Sequence, residues 1–255
     1  MQNSIFSGVK QWDYKWNDRD LKLPVFFHEN TIMSVAYTAS TKEVKKLLPL
    51  KKMKPIEIFP GRCLVAISAI EYRKSDLGKY NEAVISFPIT FDKPQIPLLT
   101  MLQQLKNNCY SSYIWQLPVT EEWPRQGGVE LFGYPKFIAD ISFSQDKDWL
   151  SCTLKENDEL ILSLRGRKLS TKKGKTIKYV GYTMLDNLPL VTNSQQNNQE
   201  YAQSSNKKHS SLELGTNHPI SKSLEKLKLG RNPFVYQYSP KNELILFPMR
   251  NLIDN

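Results

Sequence analysis

One lysine stands inside an apolar block, Gly128-Val-Glu-Leu-Phe-Gly-Tyr-Pro-Lys-Phe-Ile-Ala139, where Leu131, Phe132, Tyr134, Pro135, Phe137 and Ile138 surround Lys136 in sequence. An ammonium held in apolar surroundings loses hydration, which favours the neutral amine. Bringing a lysine from a reference pKa near 10.4 down to neutrality takes roughly 4 kcal/mol of differential stabilisation. A neutral lysine attacks carbonyl carbon and forms an imine. The competing reading is a strand lysine whose flexible stem carries its charge out to water. A second reactive group lies in Tyr72-Arg-Lys-Ser-Asp-Leu-Gly-Lys-Tyr-Asn-Glu82, where Glu82 opens a strand. A carboxylate there can orient a substrate or pass a proton. It can equally be a turn carboxylate paired with Lys79 or Arg73, and the sequence leaves both readings open.

Other chemistries find less support. His28, His209 and His218 lack zinc-ligand spacing, and Cys63, Cys109 and Cys152 are far apart with no Cys-x-x-Cys pair, so no metal site is expected. Widely spaced cysteines, odd in number, also argue against a disulfide framework and fit a reducing cytoplasm. Gly-x-Ser-x-Gly and Gly-x-Gly-x-x-Gly are both missing, which counts against a nucleophile elbow and against a dinucleotide cofactor; no cofactor is expected. Gly174-Lys-Thr176 imitates the end of a phosphate-binding loop, but the earlier glycine that such a loop needs is replaced by Leu169.

The chain has 35 Lys+Arg against 25 Asp+Glu, for a net charge of +10. Arg165, Arg167, Lys168, Lys172, Lys173, Lys175 and Lys178 fall in one stretch without an acid, and the remainder of the chain carries only +3. The stretch reads as a hairpin, with Leu160–Leu164 on one side, Ile177, Tyr179, Gly181 and Tyr182 on the other, and a turn near Lys173-Gly174. Such a tip can contact phosphates. It carries no aromatic side chain to stack on bases, so a solvated tip that discourages edge pairing is the preferred reading, and nucleic acid is not an expected partner.

These groups must be positioned by a globular chain of 255 residues, 40% hydrophobic and 24% charged, long enough for one large domain or two small ones. The longest apolar run, Cys63–Ile70, is far below the roughly 18 to 20 residues of a bilayer span, and MQNSIFSGVKQWDYKW lacks the apolar stretch of a secretory signal. A cytoplasmic protein without a membrane partner is expected. Capping-box spacing in Ser40-Thr-Lys-Glu43 predicts a helix over Thr41–Leu48. Further helices are expected over Leu98–Asn107, as a brief turn capped by Thr120 and ended by Gly127-Gly128, and over Pro219–Leu229. Strands are expected at Cys63–Tyr72, Glu82–Phe91, Ser111–Leu117, Ala139–Ser144, Trp149–Lys155, Leu160–Leu164, Ile177–Leu185 and Leu244–Phe247. The Asn/Gln/Ser-rich stretch 192–211 reads as a polar loop or insertion. Strands outnumber helices and lack regular helical crossovers, which favours an antiparallel α+β domain over a doubly wound sheet.

Three blocks together resemble the acetoacetate decarboxylase family: Ser75-Asp-Leu-Gly-Lys-Tyr-Asn-Glu-Ala83, the lysine block Gly128–Lys136, and Leu214-Gly-Thr-Asn-His-Pro219 with its following helix. The similarity runs from about Pro24 to Leu252. It implies an α+β fold with an antiparallel β-barrel-like sheet and a few flanking helices, a single domain over 1–255, and a homo-oligomer. It also implies a cofactor-independent lyase that decarboxylates acetoacetate or a related β-keto acid through a Schiff base. By position in the motif Lys136 is the Schiff-base lysine and Glu82 the active-site carboxylate. Tyr80 and Tyr134 become pocket hydroxyls or packing groups, and Glu130 a partner within the lysine block. Three departures stand out. Phe137 replaces the second lysine that commonly follows the reactive one. Asn30 stands where a substrate-binding arginine is expected, and Val129 replaces the arginine often found before the glutamate of the lysine block. Asn30 and Phe137 both alter the pocket around the lysine, so a Schiff-base aldolase or dehydratase acting on a keto acid is the alternative, followed by a non-catalytic carbonyl-ligand binder.

Overall fold

The computed structural model describes residues 4–16 and 19–252, so both ends of the expected 1–255 unit, and residues 17–18, lie outside the described residues. In chain order the elements are β1 (Trp12–Trp16), β2 (Arg19–Leu23), β3 (Val25–Ser40), α1 (Thr41–Leu47), β4 (Met53–Pro55), β5 (Glu57–Phe59), β6 (Arg62–Ser75) and β7 (Tyr80–Phe91). Then come α2 (Leu99–Asn107), β8 (Cys109–Gln116), α3 (Glu122–Phe132), β9 (Asp140–Gln145), β10 (Trp149–Glu156), β11 (Glu159–Arg167) and β12 (Thr176–Leu185). The last are β13 (Leu188–Ser204), β14 (Ser210–Leu214), α4 (Pro219–Lys226), β15 (Val235–Leu246) and β16 (Arg250–Asn251).

Seven strands close on themselves in the order β7-β8-β12-β13-β15-β3-β6 and back to β7, forming a barrel. Every seam is antiparallel except β8 with β12, which run parallel with Lys178 opposite Cys109. The barrel is therefore mixed, not antiparallel as expected. Between β8 and β12 the chain leaves the barrel to build α3, β9, β10 and β11. So long a connection lets the returning strand run in the same direction, which a tight hairpin cannot do.

Period-2 alternation gives each barrel strand two jobs. Outward-facing Val65, Ile67, Ile85 and Phe87 share one core with Cys152, Leu154, Ile161 and Leu164 of the second sheet, β14-β11-β10-β9, and with Leu224 of α4. The inward set on the same strands, including Ala66, Ser68, Ile70, Glu82, Val84 and Ser86, lines the barrel interior.

Several elements differ from expectation. The basic stretch is not a hairpin: β11 belongs to the outer sheet and β12 to the barrel, and 168–175 crosses between them. Lys172 is held there by paired backbone hydrogen bonds with Tyr201. Nor is 192–211 a loop. Most of it is β13, a strand of 17 residues between β12 and β15. Its Thr192, Ser194 and Gln196 face the interior of a hollow barrel, where no apolar side chain is required. Helix α3 does not stop at Gly127-Gly128; it runs through them to a left-handed cap at Gly133, φ 60°. Helix α4 is capped by His218 and ends at Lys226, short of Leu229. At α1 the Ser40 side chain makes no capping hydrogen bond.

Candidate active site

Lys136 lies in an irregular segment between α3 and β9. Backbone bridges and hydrogen bonds of its neighbours fix it there. Val119 pairs with Glu82 on one side and with Ile138 on the other, so the lysine segment is stitched to β7 through 117–119. Val119 N–H donates to Phe137 O at 2.9 Å, and Tyr134 N–H donates to Gly128 O at 2.9 Å. The lysine stem then lies directly over Gly128. A Cβ at that glycine would come 2.3 Å from Lys136 Cδ and 2.5 Å from Cε, so any larger residue would force the lysine stem to shift.

Inside the barrel Lys136 Nζ donates to Glu82 Oε2 at 2.8 Å, with the two side chains 5% and 8% exposed. The second carboxylate oxygen, Oε1, accepts from the Tyr72 hydroxyl at 3.1 Å. The Tyr80 and Tyr134 rings lie 5.6 and 6.0 Å from Nζ. The Tyr72 and Tyr80 rings meet at a tilt, centroids 4.6 Å apart, and Phe27 backs Tyr72 at 4.5 Å. Burial, reinforced by the negative charge of Glu82, holds the Tyr72 and Tyr80 phenols well above their ordinary range. Burial raises Tyr134 as well. All three therefore stay O–H groups that can donate to a developing oxyanion or carbinolamine oxygen.

This cluster sits at one end of a cavity of about 670 Å³ that is the barrel interior. Trp16 and Trp123, in ring contact at 4.9 Å, line that end. Among the described lining residues Lys136 is the one cation and Glu82 the one carboxylate. No group of three or more His, Cys, Asp or Glu among the described residues is placed to hold a metal ion.

The structure brings together Lys136, Glu82, Tyr80 and Tyr134, and separates the other expected site residues from them. Lys136 does not point to water, and Glu82 is not a turn carboxylate. Arg73 pairs instead with Glu29 and Glu71. Asn30 is fully buried but lies outside the cavity lining, exchanging hydrogen bonds with Asn242. The cause is an irregularity in β3: register shifts around Glu29 and Asn30 change the parity, so Phe27 and Ile32 face inward. Phe137 turns away from the lysine, packing on the outer core and lining a separate surface hollow with Glu156 and His218. Glu130 is exposed on α3 and lines neither space. Sequence reasoning missed Tyr72 and Gly128. Tyr72 was within reach of it: the turn between β6 and β7 sets Tyr72 opposite Tyr80, two residues from Glu82.

The acetoacetate decarboxylase family model matches residues 16–205. The fold is similar to a solved acetoacetate decarboxylase at TM-score 0.64 and 16% identity, over 90% of this chain and 89% of that one. An acetoacetate decarboxylase from Legionella pneumophila subsp. pneumophila str. Philadelphia 1 matches at TM-score 0.65 and 15% identity, over 90% and 87%. The enduracididine biosynthesis enzyme MppR, complexed with pyruvate, matches at TM-score 0.61 and 12% identity, over 89% of each chain. At such identities the likeness of the solved structures is one of fold. No curated protein matches the sequence.

Proposed function

The chain belongs to the acetoacetate decarboxylase family, and from that premise we propose that it is a lyase acting on a β-keto acid through an imine at Lys136. The observation that carries the reading is the 2.8 Å contact between Lys136 and Glu82 inside the barrel cavity. Along that hydrogen bond the ammonium proton passes to the carboxylate, and the freed amine attacks the substrate ketone. The carbinolamine loses water, with Glu82 returning the proton and the tyrosine hydroxyls holding the departing oxygen. The iminium then receives the electron pair of the breaking carbon–carbon bond as carbon dioxide leaves, giving an enamine. Protonation at carbon and hydrolysis release the ketone and restore the lysine.

A second reading keeps the imine and changes the bond. Among the described residues no guanidinium lines the cavity to hold a substrate carboxylate, and an enamine can attack an aldehyde as readily as accept a proton. MppR has been solved in complex with the condensation product of pyruvate and imidazole 4-carboxaldehyde, so another protein of this fold holds a product of that kind.

The test is incubation with acetoacetate and with longer keto acids, borohydride reduction, and mass spectrometry of the adduct. An adduct at Lys136 that disappears in Lys136→Met is expected, with carbon dioxide released in proportion to turnover. An adduct on another residue overturns the assignment. Adduct formation without carbon dioxide, together with carbon–carbon coupling to an added aldehyde, selects the aldol reading.

A further inference from the structure

The barrel interior reaches far beyond the lysine, and we infer that it accepts the long, uncharged body of the carbonyl substrate: a keto acid or ketone with an extended apolar chain, in preference to one as small as acetoacetate. The inference rests on Lys136 as the imine-forming group.

Its basis is the pattern of inward residues. Glu82 stands opposite Ile70, and Ser86, four residues on, stands opposite Ala66. Pro88, six residues beyond Glu82, still lines the same cavity. At about 3.4 Å per residue and a strand tilt near 40°, this reaches roughly 15 Å along the barrel axis from the carboxylate. Along that path Ser34, Ala66, Ser68, Ser86, Ser112 and Ser194 line the cavity. Barrels of this size are filled when their inward side chains are large, and here small ones leave the space open. Ser34 and Ser68 also satisfy each other at 2.7 Å, so two of the hydroxyls need no ligand partner.

The volume agrees with the length. At about 30 Å³ per water-sized portion, a cavity of about 670 Å³ corresponds to on the order of twenty non-hydrogen atoms, within the size range of pockets for drug-sized ligands. Acetoacetate fills a small part of it. Charge then selects the ligand. The far end is lined by Met101, Leu105, Tyr110 and Phe234 together with the uncharged amides Gln104, Gln203 and Gln237, and among the described lining residues the one cation and the one carboxylate are together at the near end. A charged group deep in the barrel would be buried without a partner, so the ligand's body must be neutral.

The experiment measures kcat/KM and borohydride trapping across straight-chain 3-keto acids from acetoacetate to 3-oxododecanoate. About a threefold gain per added methylene is expected until the chain reaches the far end. A flat series, or one that favours acetoacetate, overturns the inference while trapping at Lys136 leaves the imine reading intact. Conversely, binding of 2-undecanone but not acetone, seen by calorimetry on both the natural protein and Lys136→Met, supports the cavity inference even if no carbonyl is trapped. Filling the middle of the barrel by Ala66→Phe, or more gently by Ser86→Val, is expected to reduce the ratio of long-chain to short-chain kcat/KM at least tenfold. An unchanged ratio in whichever variant melts cooperatively counts against it.

Discussion

The contact between Lys136 and Glu82 makes each partner the other's support. With both side chains almost out of water, removing one leaves the other buried and unpaired, a loss of about 3 kcal/mol or more. Glu82→Gln and Lys136→Met should each lower stability in denaturant titrations, whereas the double substitution should recover much of the loss. Additive losses would show that the two do not interact. Activity follows a different pattern: every variant of Lys136 should lose imine formation, double substitution included. The reactive residue was legible because Lys136 carries its motif in its immediate sequence. Its surroundings were not. The carboxylate comes from 54 residues away, and the adjacent Phe137 faces another part of the molecule.

Among the elements, α3 shows how a local rule gives way to the site. Two glycines in a helix cost about 1 kcal/mol each against alanine, which is why Gly127-Gly128 reads as a helix end. Tertiary packing overrides that cost, because the Lys136 stem occupies the space of a Gly128 side chain. Gly128→Ala should therefore slow imine trapping by about a hundredfold, as expected for a displacement near 1 Å, and should lower the melting temperature, because a helix-propensity gain of about 1 kcal/mol does not offset the strain placed on the buried Lys136–Glu82 contact. A normal trapping rate would show that the lysine has another path into the barrel. The same kind of override explains β13. Its polar composition suggests a loop only if strands are assumed to bury apolar side chains, and the inner wall of a hollow barrel does not. The helices α1 and α2, whose signals are local, lie within a residue of their expected bounds at most positions.

For the whole molecule, the buried acidic groups determine how stability responds to alkali. Burial raises Cys63 to about 11 and Cys152 to about 12 from 9.0. Tyr72 and Tyr80 are raised above 10.0 by burial and by Glu82. Below about pH 8 folded and unfolded chains both keep these protons, so the groups add no slope. Above it the unfolded chain releases protons first, and stability must fall as pH rises, by about 1.4 kcal/mol per pH unit for each group in its window. Urea titrations between pH 8 and 11 should show a midpoint that is level at first and then declines; a midpoint that rises would contradict the burial of these groups. Strand identity and the lysine motif were readable at this scale, but the pairing was not. Hydrophobic alternation marks β11 and β12 as strands without encoding that they join different sheets.

The closure of the barrel also sets an order of events during synthesis. Strand β3 is among the first made, yet one of its two barrel partners is β15, which pairs Val25 with Leu246 and Ala36 with Val235. Until the carboxy-terminal segment emerges, β3 keeps one edge open, and so does β13 on the other side of the gap. Contacts so distant in sequence are slow to form, and open edges recruit other chains. A chain cut before Val235 should accumulate in the insoluble fraction, and supplying the β15 segment as a separate peptide during refolding should return part of it to solution.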